Sequence, residues 1–265
     1  EPQALNTLPA IAAGISFFGE HDTVLVMPSD HLIKNEDHFI NVVKESRELS
    51  HSHLITFGIK PDEPHTGYGY IQKGESIKNG FKVAKFKEKP DEKKALNYIE
   101  KGYLWNSGIF LLNRNVFYDE LFNYQPGIFN TFNNYSSLED IYNNIHQKVS
   151  IDYGLLEKSH KVVVVPVNLK WNDLGSFDAI NDITEKDINF NTVLSQSIYL
   201  NSNNNYVSKP AKKLIALTDV NDLIIIDTVD ALLVARKNES QNVKSVVEKL
   251  IQDSDKRVDF HVKDY

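Results

Sequence analysis

Val162-Val163-Val164-Val165-Pro166-Val167 is an almost purely β-branched run. Such a run reads as a strand buried on both faces, the kind that helix-covered sheets contain. Working upstream, residues 138–157 read as helix with interruptions. Residues 109–112 read as a strand feeding a helix at 115–122, and the alternating 81–86 as a strand before a helix at 91–101. Residues 54–59 form another apolar strand, preceded by an amphipathic helix at 36–49. The burst at 23–27 is a strand that runs into Pro28-Ser29-Asp30. Asn6 or Thr7 can cap a first helix over 8–18. Strands alternating with helices up to about residue 182 predict an α/β domain on a mostly parallel mixed sheet.

Downstream the character changes. Residues 191–236 hold short β runs at 197–200, 214–217, 223–227 and 231–235, separated by Asn, Asp and Ser turns. They predict a small all-β appendage, followed by an amphipathic helix at 243–251. The expected division is 1–187 for the α/β domain, 188–252 for the appendage and its helix, and 253–265 for a tail or linker.

Bulk properties exclude several classes. The 265 residues are 41% hydrophobic, ample for a core. A net charge of −7 argues against a large nucleic-acid footprint. Without cysteine there is no disulfide and no thiolate metal site. No apolar run approaches the roughly 20 residues of a membrane span, and no signal peptide is visible at the start. A cytoplasmic location is expected, with neither membrane nor nucleic acid as partner.

Polar phrases sit where strands end, the usual place for ligands in α/β proteins. Asp30 follows the 23–27 strand, and Asp173 lies just past Val167. Either alone reads as a loop or helix cap. As a pair at strand ends they point to a shared hard cation such as Mg²⁺, which takes few carboxylates and leaves the rest to water and phosphate. In Glu88-Lys89-Pro90 the lysine can hold a phosphate as a point charge and the glutamate can accept from sugar hydroxyls. A solvated ion pair before a helix explains the phrase equally well. Asn106-Ser107-Gly108 offers a donor and an acceptor to a hydroxyl pair, or is a plain turn. Thr66-Gly67-Tyr68-Gly69-Tyr70 suits a loop closing over a sugar ring, a weak signal without the phosphate-loop ending. Glu1 could select guanine through its N1 and N2 donors, though a terminal carboxylate by itself has no claim to function. The nine histidines, His261 among them, show no metal spacing, and His31 reads as a residue orienting Asp30. No nucleophile triad appears.

Taken in order, EPQALNTLPAI, VLVMPSDH, TGYGYI, FKEKP, WNSGIF, SIDYGLLEK and WNDLGSF resemble the bacterial mannose-1-phosphate guanylyltransferases, within the sugar-phosphate nucleotidylyltransferases. DLIIIDTVDALLVA and SQNVKSVVEKL are similar to that family's C-terminal region, so the resemblance spans nearly the whole chain. It implies a GT-A-like, Rossmann-related domain with a small left-handed β-helix-like segment. It also implies that GTP and mannose 1-phosphate give GDP-mannose and pyrophosphate. By the same resemblance Asp30 and Asp173 hold Mg²⁺, Glu88 takes sugar hydroxyls, and Lys89 takes the sugar phosphate. Gly67, Tyr68 and Asn106 line the sugar site, with Asp152 and Tyr153 near it. Glu1, Asn6, Thr7 and Ser29 lie on the nucleotide side. A homodimer joined through the appendage fits the pattern. Alternatives are another nucleotide and sugar (UTP or dTTP with glucose 1-phosphate), or a non-catalytic regulatory homologue. The family's G-x-G-x-R loop is not in this sequence, and its expected place is upstream of Glu1. Phe177 replaces a usual Trp and Leu8 a usual Ala, both keeping apolar character. Isomerase activity, found in relatives with a further cupin-type domain, is not expected of this chain.

Overall fold

Alternate residues of the buried strands feed two separate cores. In a computed structural model, Val162 and Val164 face one apolar cluster while Val163, Val165 and Val167 face another. Leu54 and Ile55 divide in the same way, as do Leu112 and Leu111. This is the period of two expected of strands, with apolar partners on both sides. The structure describes residues 1–258 except Ser195, Ala211, Asn238, Ser240 and Gln241. His261 and the end of the expected tail lie outside the described residues.

The chain divides into two compact units, Glu1–Trp171 and a second beginning at Asn172. In this division α7 (Phe177–Ile183) lies in the second unit.

The first unit opens with α1 (Thr7–Ser16), β1 (Thr23–Val26), the short β2 (Leu32–Ile33) and α2 (Glu36–Ser50). It continues with β3 (Leu54–Ile59), β4 (Gly69–Ile77), β5 (Gly80–Glu88) and α3 (Glu92–Glu100). Then come β6 (Leu104–Asn113), α4 (Arg114–Tyr124), α5 (Pro126–Asn134), α6 (Leu138–Asn143), a π-helical turn Asp152–Leu156, and β7 (Val162–Val167). Six strands form one sheet in the order β1-β6-β3-β7-β5-β4, with β4 also pairing β6. Its ladders correct the mostly parallel expectation. Within this sheet only β3–β7 is parallel; β1–β6, β3–β6, β5–β7, β4–β5 and β4–β6 are antiparallel. The reason is spatial order: β1, β3 and β7 share a direction, but the oppositely running β6 inserts between β1 and β3. Sequence alternation does not reveal such an insertion.

α1, α4, α5 and α6 contribute Leu8, Phe117, Ile128 and Tyr142 to one core, and α2 and α3 contribute Phe39, Leu49 and Ala95 to the other. The buried Glu120 carboxylate anchors the segment leading into β7: it accepts from the Ser159 hydroxyl at 2.6 Å and meets the half-exposed Lys161 at 3.1 Å.

The short β8 (Trp171–Asn172) straddles the division, and the second unit contains α7, β9 (Ser197–Leu200), β10 (Tyr206–Ser208), β11 (Ile215–Thr218), β12 (Leu223–Asp227), β13 (Leu232–Arg236) and α8 (Val243–Gln252). β9 pairs β11 and β10 pairs β12, both in parallel and with the same offset, while β13 returns antiparallel on β12. Side chains repeat that offset of 18 residues: Asn201 bonds Asp219, Asn203 bonds Asn221 and Asn204 bonds Asp222. Each coil thus stacks on the next, as in a β-helix. At its centre Asn191 and Asn205 are wholly buried and fully engaged. Asn205 Nδ2 donates to Asn191 Oδ1 and to Val220 O, and Asn205 Oδ1 accepts the Leu223 N–H at 3.0 Å. Among the described residues no helix is long and apolar enough to cross a membrane.

Candidate functional site

Asn106 is aimed by an irregularity in β6. Thr56 is opposite Phe110 and Gly58 is opposite Asn106, so β6 spends two more residues than β3 between the same rungs. Gly108 adopts φ +71° there, and the Ser107 hydroxyl accepts the Ile109 N–H at 3.2 Å. Bulges of this kind re-aim a side chain beside functional sites. Asn106-Ser107-Gly108, read either as a hydroxyl-binding phrase or as a plain turn ahead of the 109–112 strand, is therefore part of the strand itself.

The amide of Asn106 is held from two sides. The Thr56 hydroxyl donates to Oδ1 at 2.7 Å, and Nδ2 donates to Asp152 Oδ1 at 3.0 Å. Asp152 opens the π-helical turn, whose preceding Ile151 N–H donates to Thr7 Oγ1 at 3.0 Å. Burial, and after it the neighbouring Glu88 carboxylate, push the Asp152 carboxyl up to about 6, with Lys89 pulling the other way.

Glu88 ends β5 opposite Gly69. A Cβ on Gly69 would lie 2.6 Å from Glu88 Oε2 and 3.3 Å from the Asn106 Cβ. The carboxylate therefore crosses the bare Gly69 backbone toward Asn106, and only glycine leaves it room. Lys89 takes a left-handed φ of 46°, and its N–H donates to Tyr68 O at 3.2 Å. Its ammonium meets Glu88 Oε1 at 2.6 Å; Glu88 is 8% exposed and Lys89 61%. That hydrogen bond raises the Lys89 pKa against its burial, so the group is cationic at neutral pH. Glu88, Lys89, Asn106 and Asp152 thus form one polar cluster, with the half-exposed Tyr153 next in sequence. Its shielded carboxylates suit hydroxyl groups, and its exposed cation suits a phosphate.

Beside it stands an aromatic wall. Tyr68 stacks on His65 at 3.8 Å and 18°, and meets Trp105 and Trp171 edge-on at 5.0 and 5.2 Å. The Gly67 N–H donates to His65 Nδ1, the Tyr70 hydroxyl to His65 O, and the Trp171 indole N–H to His31 Nδ1. The loop carrying Ser29 and Asp30 leaves β1 with both residues exposed. It packs on the bulge: Pro28 Cγ and His31 Cε1 are each 3.6 Å from where a Gly108 Cβ would stand.

The remaining expected residues have local partners. Glu1 accepts the Tyr142 hydroxyl at 3.0 Å, and Asn6 caps α1 by accepting the Thr7 N–H at 2.8 Å. Asp173 belongs to the second unit, where its Oδ1 accepts the Gly175 N–H at 3.1 Å. Thr56, His65 and Trp105 escaped the sequence reading. The one available signal was a threonine inside the otherwise apolar LITFGI strand.

Comparisons with known proteins place these residues in a family context. A nucleotidyl transferase family model matches residues 1–189, and a model of the MannoseP isomerase/GMP-like beta-helix domain matches 195–250. The mannose-1-phosphate guanylyltransferase of Klebsiella pneumoniae is 36% identical over 95% of this chain and 57% of its own length. The xanthan biosynthesis protein XanB of Xanthomonas campestris pv. campestris is 34% identical over 100% and 59%. The chain spans somewhat over half the length of these curated relatives. A solved structure titled mannose-1-phosphate geranyltransferase, from Thermus thermophilus, superposes with a TM-score of 0.84 at 28% identity, covering 95% of this chain and 77% of that one.

Proposed function

The chain belongs to the nucleotidyl transferase family, and from that membership we propose that it serves the transfer of a guanylyl group from GTP to mannose 1-phosphate, giving GDP-mannose and pyrophosphate. The observation that carries this reading is the Lys89 ammonium held at 2.6 Å by the shielded Glu88, beside the Asn106–Asp152 pair. One exposed cation next to shielded hydroxyl acceptors matches a sugar that bears a single phosphate. The similarity to guanylyltransferases supports the choice of sugar and base.

In the reaction an oxygen of the sugar phosphate attacks the α-phosphorus in line. The new P–O bond forms as the bond to the β-phosphate oxygen breaks, and pyrophosphate leaves with that electron pair. The residues position and neutralise two anions. Lys89 offsets the charge of the sugar phosphate, and Glu88 and Asn106 take sugar hydroxyls with Asp152 and Tyr153 behind them. Tyr68, on the Gly67 turn, offers a ring face. Glu1, Asn6, Thr7 and Ser29 are assigned to the nucleotide side. Asp30 and Asp173 supply the hard oxygen donors that suit Mg²⁺, which would neutralise phosphate charge. No protein nucleophile is required.

The test is pyrophosphate release by the full-length protein from mannose 1-phosphate with GTP, UTP, dTTP or ATP in parallel, with Mg²⁺ and with EDTA. Release with GTP alone, abolished by EDTA, is expected. Release with another nucleotide overturns the base assignment, and release in EDTA overturns the metal assignment.

A further inference from the structure

Thr56 lies in the middle of β3 and is wholly buried. Every residue of that strand is buried, and the others are apolar or glycine. A hydroxyl there costs free energy unless it is bonded, and valine would fill the same space. The backbone of Thr56 makes ordinary rungs, opposite Phe110 on β6 and Val164 on β7. Its hydroxyl is the part left to explain, and its short bond runs to Asn106 Oδ1 at 2.7 Å, with Ile109 O more distant at 3.4 Å.

A primary amide has two acceptor positions on oxygen and two donor protons on nitrogen. Asn106 spends one acceptor position on Thr56 and one proton on Asp152. One acceptor position on its oxygen and one proton on its nitrogen remain. A half-turn of the amide would set its oxygen against the Asp152 carboxylate, acceptor against acceptor, and would leave the Thr56 hydroxyl only the more distant Ile109 O to donate to. The two neighbours therefore permit one orientation. The bulge at Gly108 places the side chain between them.

We propose that Thr56 is a positioning residue for sugar recognition, its hydroxyl fixing the Asn106 amide so that one donor and one acceptor face an adjacent pair of sugar hydroxyls. This rests on the sugar 1-phosphate reading of the site. Thr56 touches no substrate and acts only through Asn106.

The test compares Thr56→Val with Thr56→Ser in the full-length protein. Valine removes the hydroxyl and keeps the volume; serine keeps the hydroxyl. Thr56→Val should raise KM for mannose 1-phosphate about 3- to 10-fold, the effect of one net hydrogen bond. KM for the nucleotide and kcat should stay within about twofold, and Thr56→Ser should restore the sugar KM. Thermal melting of both variants controls for folding. An unchanged sugar KM in Thr56→Val overturns the proposal. So does an equal rise in both KM values, or a Thr56→Ser protein that melts normally and is no better than Thr56→Val. If the wild type releases no pyrophosphate with any nucleotide, the functional reading fails by itself. Thr56 is then judged by the Asn106 side-chain amide signals in a ¹⁵N-labelled sample. These must shift in Thr56→Val and return in Thr56→Ser, and signals unmoved by valine overturn the positioning role.

Discussion

Asn106 Nδ2 donates to Asp152 Oδ1 at 3.0 Å, joining a strand bulge to a π-helical turn 46 residues away. The acceptor is a shielded carboxylate beside a second one, Glu88, and its pKa is pushed up to about 6. Holding this charge costs stability.

Replacing Asp152 by asparagine should therefore stabilise the fold while impairing the site. The folded-state pKa of about 6 lies above the ordinary 3.8. The folded protein thus binds the Asp152 proton more readily than the unfolded one. The stability linked to that proton is present below about pH 3.8 and is lost as pH rises through 6. Asp152→Asn should exceed the wild type by roughly 1–3 kcal/mol at pH 7.5, and the gap should close near pH 4. Denaturant melts at the two pH values measure this; a gap that widens on acidification contradicts it.

Gly69→Ala should damage the site more than the fold. The added Cβ would stand 2.6 Å from Glu88 Oε2 and must push that carboxylate aside. KM for mannose 1-phosphate should rise about tenfold, one disturbed charge-assisted contact, with the melting temperature nearly unchanged. A wild-type KM would mean that Glu88 does not reach the sugar.

Asp173→Asn keeps an oxygen for the Gly175 N–H bond but removes the charge a hard cation needs. Turnover in the full-length protein should fall about 100-fold or more, with little change in melting. Near-normal turnover at the same Mg²⁺ concentration removes the metal assignment.

Asn205→Ala should destabilise the second unit selectively. It leaves the Leu223 N–H and Val220 O without their side-chain partner, while Asn191 Oδ1 keeps the backbone N–H of residue 205. Buried groups orphaned in this way cost about 1–3 kcal/mol each before relaxation. Hydrogen exchange should accelerate in β10–β12 and stay unchanged in β3, β6 and β7. Uniform acceleration would show instead that the two units unfold together.

Much of the fold can be read from local patterns. The VVVVPV run marked a strand with both faces covered, and Val162 to Val165 are all buried. The four expected β runs of the appendage correspond to β9, β11, β12 and β13. β4, α5, α7 and β10 were missed. β4 starts inside the glycine-rich loop phrase and leaves the core after Ile71, its later residues being mostly exposed. It lacks the unbroken apolar signal of β3. Of the site, the phrases EKP, GYG and NSG drew attention because polar and small residues stood beside apolar runs, whereas Asp152 and Tyr153 entered only through the family resemblance. Thr56 stood in such a run and looked like a β-branched core residue.

The sequence by itself determined the α/β class, the small β appendage and the nucleotidyl transferase family, because periodicity and ordered motifs are properties of the chain read in one dimension. Only the tertiary structure decided that β6 runs between β1 and β3, and that two extra residues in it turn Asn106 toward Asp152. The physical reason is that strand order, register and bulges are settled by which surfaces pack together across the sheet. Thr56, Asn106 and Asp152 are separated by dozens of residues, so no local pattern records the hydrogen bonds that join them.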